Sequence, residues 1–237
     1  MRKKKVKTTL VILTRNEIEG MRALVGRIPF EAVDEHFVVD YKSDDGTIDF
    51  VKKRGIRIVP QENPGRGEAF RLSASVARGD LLVFFSPDGN EDPADIPRLL
   101  SKLAEGYDMV IASRFLPGSR NEEDSKLFRP RAWANKAFTL VANILWNRSG
   151  RSISDTINGY RAIRKAAFER MRLSATGYAV EYQMSIRAMR LGMKVSEIPT
   201  IEGERIGGES KAKSIPTGLR FVALILSEIW VSIRGSY

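Results

Sequence analysis

Short apolar runs recur along the first half of the chain, and each is followed by a polar loop. They read TLVIL near residue 10, HFVVD near 38, IRIVP near 58, LLVFF near 83 and DMVIAS near 110. Between the last two runs, apolar residues recur at helical spacing before Gly106, at Ile96, Leu99, Leu100 and Leu103. Continuous β-branched and aromatic runs that alternate with helices are typical of a mostly parallel sheet covered on both faces. The pattern therefore predicts an α/β fold with a doubly wound sheet.

Two apolar helices are predicted in the second half of the chain. Residues 219 to 233 form one of them and carry Trp230. Residues 130 to 146 form the other, and six apolar side chains share one of its faces: Trp133, Ala137, Leu140, Val141, Ile144 and Leu145. Such stripes either pack on the core or a partner subunit, or lie at a membrane surface with tryptophans at headgroup level. We expect the membrane surface.

Composition and charge exclude several classes of protein for this chain. The 237 residues, 43% of them hydrophobic, are enough for one large domain, and the formal net charge of +10 suits nucleic acid, an anionic membrane or phosphorylated small molecules. The absence of cysteine excludes disulfides and thiolate chemistry, and a single histidine, His36, excludes a multi-histidine metal site. The N-terminal MRKKKVK runs straight into a strand-like segment, unlike a secretory signal. The stretch from 219 to 233 contains Arg220 and Glu228 and is shorter than the roughly 20 residues that span a bilayer.

The loops after the apolar runs form the candidate site, because ligands of doubly wound sheets bind beyond the carboxyl ends of the strands. These loops read TRNE, DYKSDDGT, QENPGRGE, SPDGNEDP and SRFLPG. In an extended strand end Ser86, Asp88 and Asn90 would project three oxygens to one side. Carboxylate and amide oxygens suit a hard cation such as Mg²⁺ or Mn²⁺. Pro-Asp-Gly-Asn is also a common turn, so the neighbouring loops must decide between the two interpretations.

Those neighbouring loops carry groups that suit a nucleotide. Asp40 closes HFVVD and could accept a hydrogen bond from a base N–H, and Glu17 could accept one from a ribose hydroxyl. Arg66 lies between two glycines ahead of a predicted helix, an arrangement that favours anions. The DDG of SDDGT is expected to form a turn and the cap of a helix that begins at Thr47.

Several motifs together resemble a known family. TRNE, VVD with SDDGT, NPGRGEA, SPDGN, ASRF, DTINGYRAIRK, YAVEYQM and RIGGESK are similar, in order and spacing, to those of the family 2 inverting glycosyltransferases with a GT-A fold. Within that family the chain most resembles dolichol- or polyprenyl-phosphate mannose and glucose synthases, over about residues 8 to 215. The resemblance implies a nucleotide-diphosphate sugar donor, a Mg²⁺ or Mn²⁺ cofactor and a polyprenyl or dolichyl phosphate acceptor.

The resemblance also implies roles for particular residues. Asp88 and Asn90 would be the metal ligands, and the nucleotide sugar would be bound by Thr14, Arg15, Glu17, Asp40, Gly65, Arg66, Gly67, Ser86, Pro87 and Asp88. Two places depart from the family pattern. Ser86 stands where the family has its first carboxylate, and Tyr41 and Lys42 replace part of the usual DDGS run. The sugar and the nucleotide, whether GDP or UDP, are therefore left open.

Cationic and hydroxyl side chains further along the chain would hold the acceptor phosphate: Arg114, Arg131, Arg205, Ser210 and Lys211. With Asp88, we expect Arg114, Arg205 and Lys211 to be the catalytic group. A phosphate nucleophile is already anionic and needs positioning rather than a base. A sugar hydroxyl would instead need a carboxylate to take its proton, and the candidates are Asp92, Asp155 and Glu181.

The expected organisation is a GT-A domain over residues 1–215 and a C-terminal amphipathic helix over 216–237 at a membrane surface or a partner. The domain comprises a nucleotide-binding half, about 8–115, and an acceptor half, about 116–215. We expect a peripheral protein on the cytoplasmic face of the membrane. Binding to nucleic acid is disfavoured because the aromatic residues lie in strand-like or amphipathic runs rather than between basic residues. Transfer to a sugar hydroxyl in polysaccharide or glycolipid synthesis is the alternative function, and the oligomeric state is open.

Overall fold

The computed structural model describes residues 6–124, 128–148, 150, 152–207 and 214–234. The strands are β1 Thr8–Thr14, β2 Glu35–Asp40, β3 Ile58–Pro60, β4 Leu81–Phe85, β5 Met109–Ser113, β6 Arg161–Arg164 and β7 Val195–Pro199. The helices are α1 Ile18–Leu24, α2 Thr47–Lys53, α3 Arg66–Val76, α4 Asp95–Ala104, α5 Pro130–Trp146, α6 Lys165–Met171, α7 Val180–Arg190 and α8 Ser214–Arg234. Two short 3-10 turns, Val25–Arg27 and Phe30–Ala32, lie between α1 and β2.

All seven strands form one sheet in the order β3-β2-β1-β4-β6-β5-β7. The pairings β1 with β2, β1 with β4, β2 with β3 and β5 with β7 are parallel, and β6 runs antiparallel to both β4 and β5. Strand β1 is flanked by β2 and β4, so the chain order reverses there. Ligands of open α/β sheets bind at such a switch point.

Each face of the sheet is covered by helices, which is why the strands read as continuous apolar runs. Along β1, Leu10 and Ile12 pack with α1, α2 and α4, while Val11 and Leu13 pack with the side chains of α3, α5, α6, α7 and α8. Alternate residues of a strand point to opposite faces, so a strand buried on both faces must be apolar at every position. The predicted mostly parallel α/β sheet with flanking helices is confirmed.

The second half of the chain departs from the expected boundaries in two places. The segment Arg161–Arg164, which is not among the apolar runs of the first half, supplies the antiparallel strand β6 in the middle of the sheet. The C-terminal helix begins at Ser214 and is 21 residues long. The expectation that this helix is too short to span a bilayer is therefore wrong, since its length corresponds to about 31 Å.

Candidate functional site

A cavity of about 1020 Å³ lies at the carboxyl ends of β1 and β4. The loops of the first half form one side of it, and α5, α7 and the start of α8 form the other. Among the residues expected in the site, the following line it: Thr14, Arg15, Glu17, Gly65, Arg66, Ser86, Asp88, Asn90, Arg114, Arg131 and Arg205. Asp40, Gly67 and Pro87 do not belong to this lining. Ser210 and Lys211 lie outside the described residues.

The loop after β4 is shaped by close backbone contacts with the segment at 203–206. Gly89 has φ +96°, and a Cβ atom there would lie 2.5 Å from the carbonyl oxygen of Glu204. The amide of Ile206 donates to the Asp88 carbonyl at 2.7 Å, and the amide of Gly203 donates to the Asn90 carbonyl at 3.1 Å. A side chain at position 89 would break this packing and strain the left-handed backbone. The two loops therefore form one wall of the cavity.

Arg205 links that wall to the loop after β1. Its Nη1 donates to Asp88 Oδ2 at 2.7 Å, and its Nη2 lies 3.3 Å from Glu17 Oε1. All three side chains line the cavity. In this structure a guanidinium therefore provides the positive charge beside the carboxylate that was expected to bind a metal.

Arg66 connects the loop after β4 to α7. Its Nη1 donates to Ser86 Oγ at 3.1 Å, and its Nε donates to the carboxylate of Glu181. Glu181 is buried, and its second oxygen, Oε2, has no hydrogen-bond partner in the described part of the chain. Arg66 thus lies between a neutral hydroxyl and a buried carboxylate, which orients its guanidinium across the floor of the cavity.

Glu91 is a cavity residue that the sequence analysis missed. It is buried, it lines the cavity, and its Oε2 accepts the backbone N–H of Ser86 at 2.7 Å. Burial raises the pKa of Glu91 well above its ordinary value, the charge of Arg66 opposes this rise, and the charge of Asp88 adds to it. The carboxyl group of Glu91 therefore lies against Ser86, the position at which the resemblance leads to the expectation of an acid. The only sequence signal was the cluster of acids that follows Asn90.

Asp40 ties two strand ends together beneath the cavity. Its Oδ2 accepts from Thr14 Oγ1 at 2.7 Å, and its Oδ1 accepts the amide of Ser43 at 2.9 Å. It is buried, and Gln61 and Tyr41 line the cavity nearby. Both carboxylate oxygens of Asp40 therefore already accept hydrogen bonds from the protein, and Asp40 is not poised for the expected contact with a base.

The glycines around Arg66 serve contacts within the protein. A Cβ atom at Gly65 would lie 2.2 Å from the Thr176 carbonyl oxygen, and one at Gly67 would lie 1.9 Å from the Ala175 carbonyl oxygen. The sequence analysis attributed these glycines to the approach of a ligand. In the structure these two glycines let the segment before α7 pack closely against them. Of the two, Gly65 also lines the cavity.

The DDG turn after β2 caps two helices. Asp45 Oδ1 accepts the amide of Thr47 at 2.9 Å, and its Oδ2 accepts the amide of Ile18 at 2.9 Å. Gly46 precedes α2 with φ +95°. The predicted turn and cap are confirmed, and the same carboxylate also anchors the start of α1.

Two of the arginines expected to bind the acceptor are held by carboxylates. Arg114 donates through Nε to Asp155 at 2.7 Å and through Nη1 to Glu202 at 3.2 Å, with 13% of its side chain exposed. Burial by itself would raise the pKa of Asp155, but the charge and hydrogen bonds of Arg114 hold it below its ordinary value. Arg131, on the exposed start of α5, lies 3.1 Å from Glu122.

The far end of the cavity is apolar. Phe138 of α5 and Phe221 of α8 line it, and Tyr182 packs against both rings with centroid distances of 5.9 and 5.2 Å. Arg220 also lines this end. The cavity therefore runs from charged strand-end loops to an aromatic end between α5 and α8.

The donor set fits a divalent cation that takes most of its ligands from phosphate and water. Asp88 offers a carboxylate to the cavity, and the amide nitrogen of Asn90 donates to the Gly203 carbonyl at 2.9 Å, which fixes the orientation of that side chain. Among the described residues, no group of three or more histidines, aspartates or glutamates could hold a metal ion. Such a cation would therefore have to be held jointly by Asp88 and a bound diphosphate.

Comparison with known proteins gives a consistent match. The model of glycosyl transferase family 2 matches residues 9–172. The undecaprenyl-phosphate mannosyltransferase of Micrococcus luteus is 32% identical over 215 residues, which cover 85% of this chain and 85% of that protein. Glycosyltransferase AglJ of Haloferax volcanii is 28% identical over 193 residues, covering 79% of this chain but only 60% of that protein.

A solved structure shows the same fold. Glucosyl-3-phosphoglycerate synthase from Mycobacterium tuberculosis, in complex with Mn²⁺, UDP-glucose and glycerol 3-phosphate, superposes with a TM-score of 0.71 at 23% identity. The match covers 94% of this chain and 80% of that structure. At this identity the likeness supports the fold.

Proposed function

This chain belongs to glycosyl transferase family 2, and we propose that it transfers a hexose, with inversion, from a nucleotide-diphosphate sugar to a polyprenyl or dolichyl phosphate. The main support for the proposal is that the cavity extends from a charged end to an apolar end. One end holds Asp88, Arg205 and Arg66 at the strand-end loops, and the other reaches Phe138 and Phe221 between two helices with exposed apolar faces. A charged end suits a nucleotide diphosphate, and an apolar end suits an isoprenoid.

The donor would be held by the loops after β1, β3 and β4. Arg66 and Arg205 would meet the diphosphate, because both guanidinium groups line the cavity beside the 86–90 loop. Their present partners are carboxylates, Glu181 for Arg66 and Asp88 for Arg205. The diphosphate would exchange with the carboxylate on Arg205, because phosphate also forms charge-assisted hydrogen bonds with arginine.

A divalent cation, Mg²⁺ or Mn²⁺, would be held by Asp88 with the oxygen of Asn90. When bound, it neutralises the charge that develops on the departing diphosphate. The residues of this chain do the remaining work. Arg205 would leave Asp88 for the phosphate oxygens, and Arg66 would hold the diphosphate end against Ser86. Removing these donors would raise the barrier because they act where charge develops.

The acceptor would enter from the α5 and α8 side. Its phosphate would lie near Arg131 and Arg220, and its chain would run along Phe138 and Phe221. A phosphate monoester is anionic at neutral pH, so its oxygen attacks without a base once it is in line. Arg114 is engaged by Asp155 and Glu202 and lines the same cavity. It would contribute positive charge and hold the two carboxylates in place.

The membrane association in the proposal rests on exposed apolar side chains. On α5, Leu140 and Ile144 are 61% and 71% exposed, and on α8 Leu226 and Ile233 are 64% and 79% exposed. The striped face of α5 predicted from the sequence therefore points outward. We infer that these faces rest on the cytoplasmic leaflet, where the aromatic and basic residues at the helix ends suit the headgroups.

One helix of the described residues, Pro216–Arg234, is long and apolar enough to cross a membrane, with mean hydropathy 1.4 and 11% of it buried. Glu228, in the middle of this helix, favours docking on the protein surface. It is fully buried and lies 2.7 Å from Arg187 and 3.3 Å from Arg190 of α7. Moving that carboxylate into lipid would break both pairs, at a cost that a peripheral position avoids.

The test is a transfer assay with labelled GDP-mannose and UDP-glucose, with and without Mn²⁺, and with undecaprenyl phosphate or soluble glycans as acceptors. We expect a lipid product that is stable to alkali and labile to acid, formed from one nucleotide sugar and only with the metal. Transfer solely to a hydroxyl acceptor would overturn the acceptor assignment. It would favour the alternative in which a carboxylate such as Glu181 takes the acceptor's proton.

A further inference from the structure

Two buried polar atoms of cavity-lining side chains have no hydrogen-bond partner in the part of the chain that the structure describes. One is an acceptor, Glu181 Oε2, and the other is a donor, Arg205 Nε. A buried polar group without a partner costs free energy, so such atoms are rare in native proteins. Both line the same cavity, which indicates a ligand that offers a donor to one and an acceptor to the other.

The chemistry of Glu181 restricts what can satisfy it. Its Oε1 already accepts from Arg66, and the oxygens of a carboxylate paired with a guanidinium are acceptors, so Oε2 calls for a donor. A phosphate oxygen would bring a second negative charge and no hydrogen. A hydroxyl brings a hydrogen without charge and therefore fits. The matching atom Arg205 Nε needs an acceptor oxygen instead, and a phosphate supplies one with the complementary charge. A sugar joined to a phosphate carries both groups.

The position of Glu181 matches the sugar end of such a ligand. Arg66 spans from Glu181 to Ser86, so the carboxylate lies one guanidinium away from the loop assigned to the diphosphate. The pair packs closely against the backbone of Gly159, where a Cβ atom would lie 2.3 Å from Arg66 Nη2 and 3.0 Å from Glu181 Oε1. A group that follows the diphosphate along the cavity would reach this point.

We propose that Glu181 Oε2 accepts a hydrogen bond from a hydroxyl of the donor's hexose, which makes Glu181 a residue that recognises the sugar. The proposal rests on the proposed function and deepens it. It assigns Glu181 to the donor, whereas its residue type had suggested a base for a hydroxyl acceptor.

The experiment measures what the sugar adds to binding. Calorimetry with Mn²⁺ gives the dissociation constants of the bare nucleotide diphosphate and of its sugar conjugate, and their ratio is the contribution of the sugar. In Glu181→Ala we expect this ratio to fall by about 10- to 100-fold, the range for a hydrogen bond to a charged group. Affinity for the bare nucleotide should fall by a smaller factor, because Arg66 loses the carboxylate that orients it, and the ratio cancels this shared loss.

Deoxy-sugar donors identify the hydroxyl. In the parent protein one deoxy analogue should bind about 10-fold or more weaker than the full sugar. In Glu181→Ala the same analogue and the full sugar should bind alike, because the interaction that distinguishes them is gone. If every analogue keeps its full penalty in the variant, no hydroxyl contacts Glu181 and the proposal is overturned.

Three further variants separate recognition from folding. Glu181→Gln keeps the shape of the side chain, and Gly159→Ala adds a Cβ atom that displaces the ends of the Arg66 and Glu181 side chains. Both should lower the sugar contribution while the melting temperature stays within a few degrees. Glu35→Gln changes a glutamate at the opposite end of the sheet, where it accepts from Thr9, and should leave the contribution unchanged. Equal losses for nucleotide and conjugate in Glu181→Gln would show a structural role and overturn the proposal.

The outcome also separates this inference from the proposed function. If the parent protein binds no nucleotide-diphosphate sugar, the proposed function fails and this inference fails with it. If the parent binds the donor and Glu181→Ala keeps the full sugar contribution, only the inference fails. A changed transfer rate to hydroxyl acceptors with an unchanged donor affinity would return Glu181 to the role of a base.

Discussion

At the scale of single residues, the site is a set of charged side chains that form ion pairs with one another. Arg205 pairs with Asp88 and Glu17, and Arg66 pairs with Glu181, so both arginines are oriented before any ligand binds. Preorganised cations reduce the reorganisation that the reaction would otherwise require. The cost is that a donor must compete with protein carboxylates for the same guanidinium groups.

Replacing Asp88 by Asn should abolish the effect of the metal on donor binding. The amide keeps the shape but provides no charge for the cation, so we expect Mn²⁺ to stop raising nucleotide-sugar affinity and transfer to fall by about 100-fold or more. Calorimetry with and without Mn²⁺ measures the first effect, and a transfer assay measures the second. Asp49→Asn, on the exposed side of α2, is the charge-matched control. An unchanged metal effect would remove Asp88 from the site.

Replacing Arg114 by Met should destabilise the protein in a pH-dependent way. Asp155 and Glu202 would stay buried without a cation, which costs about 3–5 kcal/mol near neutral pH. In the parent, the lowered pKa of Asp155 contributes stability that is present above its ordinary value of 3.8 and lost as the pH falls through the folded value. In the variant, burial raises both pKa values, so protonation relieves the penalty as the pH falls.

The difference in unfolding free energy between parent and Arg114→Met should therefore shrink from pH 7 towards pH 4. Urea unfolding at several pH values measures it. Arg57→Met is a suitable control, because Arg57 is 48% exposed and its partner Glu35 keeps hydrogen bonds from Thr9 and from the amide of Arg78. A difference that stays constant with pH would mean that Asp155 and Glu202 do not carry the uncompensated charge.

At the scale of elements, the shape of the site depends on how closely loops approach helices. Helix α1 lies against the loop after β4, and a Cβ atom at Gly20 would lie 1.8 Å from the carbonyl oxygen of Pro87. The 203–206 segment covers the same loop from the other side through the Asp88 and Asn90 carbonyls. The 86–90 loop is thus held between two elements that are distant in sequence.

Gly20→Ala should move the 86–90 loop or loosen α1. We expect a loss of about 1–3 kcal/mol in unfolding free energy, because a backbone oxygen cannot yield as a flexible side chain can. Donor affinity should fall as well, since the loop carries Asp88. Thermal unfolding and calorimetry give the two values.

Gly26→Ala is the matched control, because nothing lies within 4 Å of the added Cβ atom and its backbone is not in the left-handed region. It should be neutral or slightly stabilising. If Gly20→Ala and Gly26→Ala have the same unfolding free energy and donor affinity, the close approach at Gly20 does not constrain the 86–90 loop.

At the scale of the whole molecule, charge and apolar surface occur together. The chain carries a formal net charge of +10. Helices α5 and α8 expose Trp133, Leu140, Ile144, Trp230 and Ile233. The same two helices line the cavity, so under the proposed function a lipid-bound acceptor would meet its site at the membrane surface.

Changing Leu140, Ile144 and Leu226 together to Ser should weaken binding to vesicles of anionic phosphatidylglycerol by about 10-fold or more. These side chains are 61%, 71% and 64% exposed, so the melting temperature should stay nearly unchanged. Co-sedimentation at low salt measures the partition. Val6→Ser, an exposed apolar residue outside these helices at 49% exposure, is the control. Unchanged binding of the triple variant would show that charge alone attracts the protein.

The chain itself determined the sheet and the edge that carries the site. Strands buried on both faces must be apolar throughout, so β1, β2, β4 and β5 are readable as runs, and parallel strands bring the loops that follow them to one edge. The apolar stripe of α5 was also readable from the sequence, and its exposure agrees with the surface position expected for it. Local sequence patterns are sufficient to predict strands and helices, because the spacing of residues along the chain determines which face each side chain lies on.

Only the tertiary structure decided which charges meet. Arg66 pairs with Glu181 and Arg205 pairs with Asp88 across 115 and 117 positions, and no local pattern encodes these pairings. The same holds for Asp40, which the sequence suggested as a base contact and the fold places among hydroxyl and amide donors. Side-chain partners depend on three-dimensional proximity, which packing of distant segments creates and residue type alone does not specify.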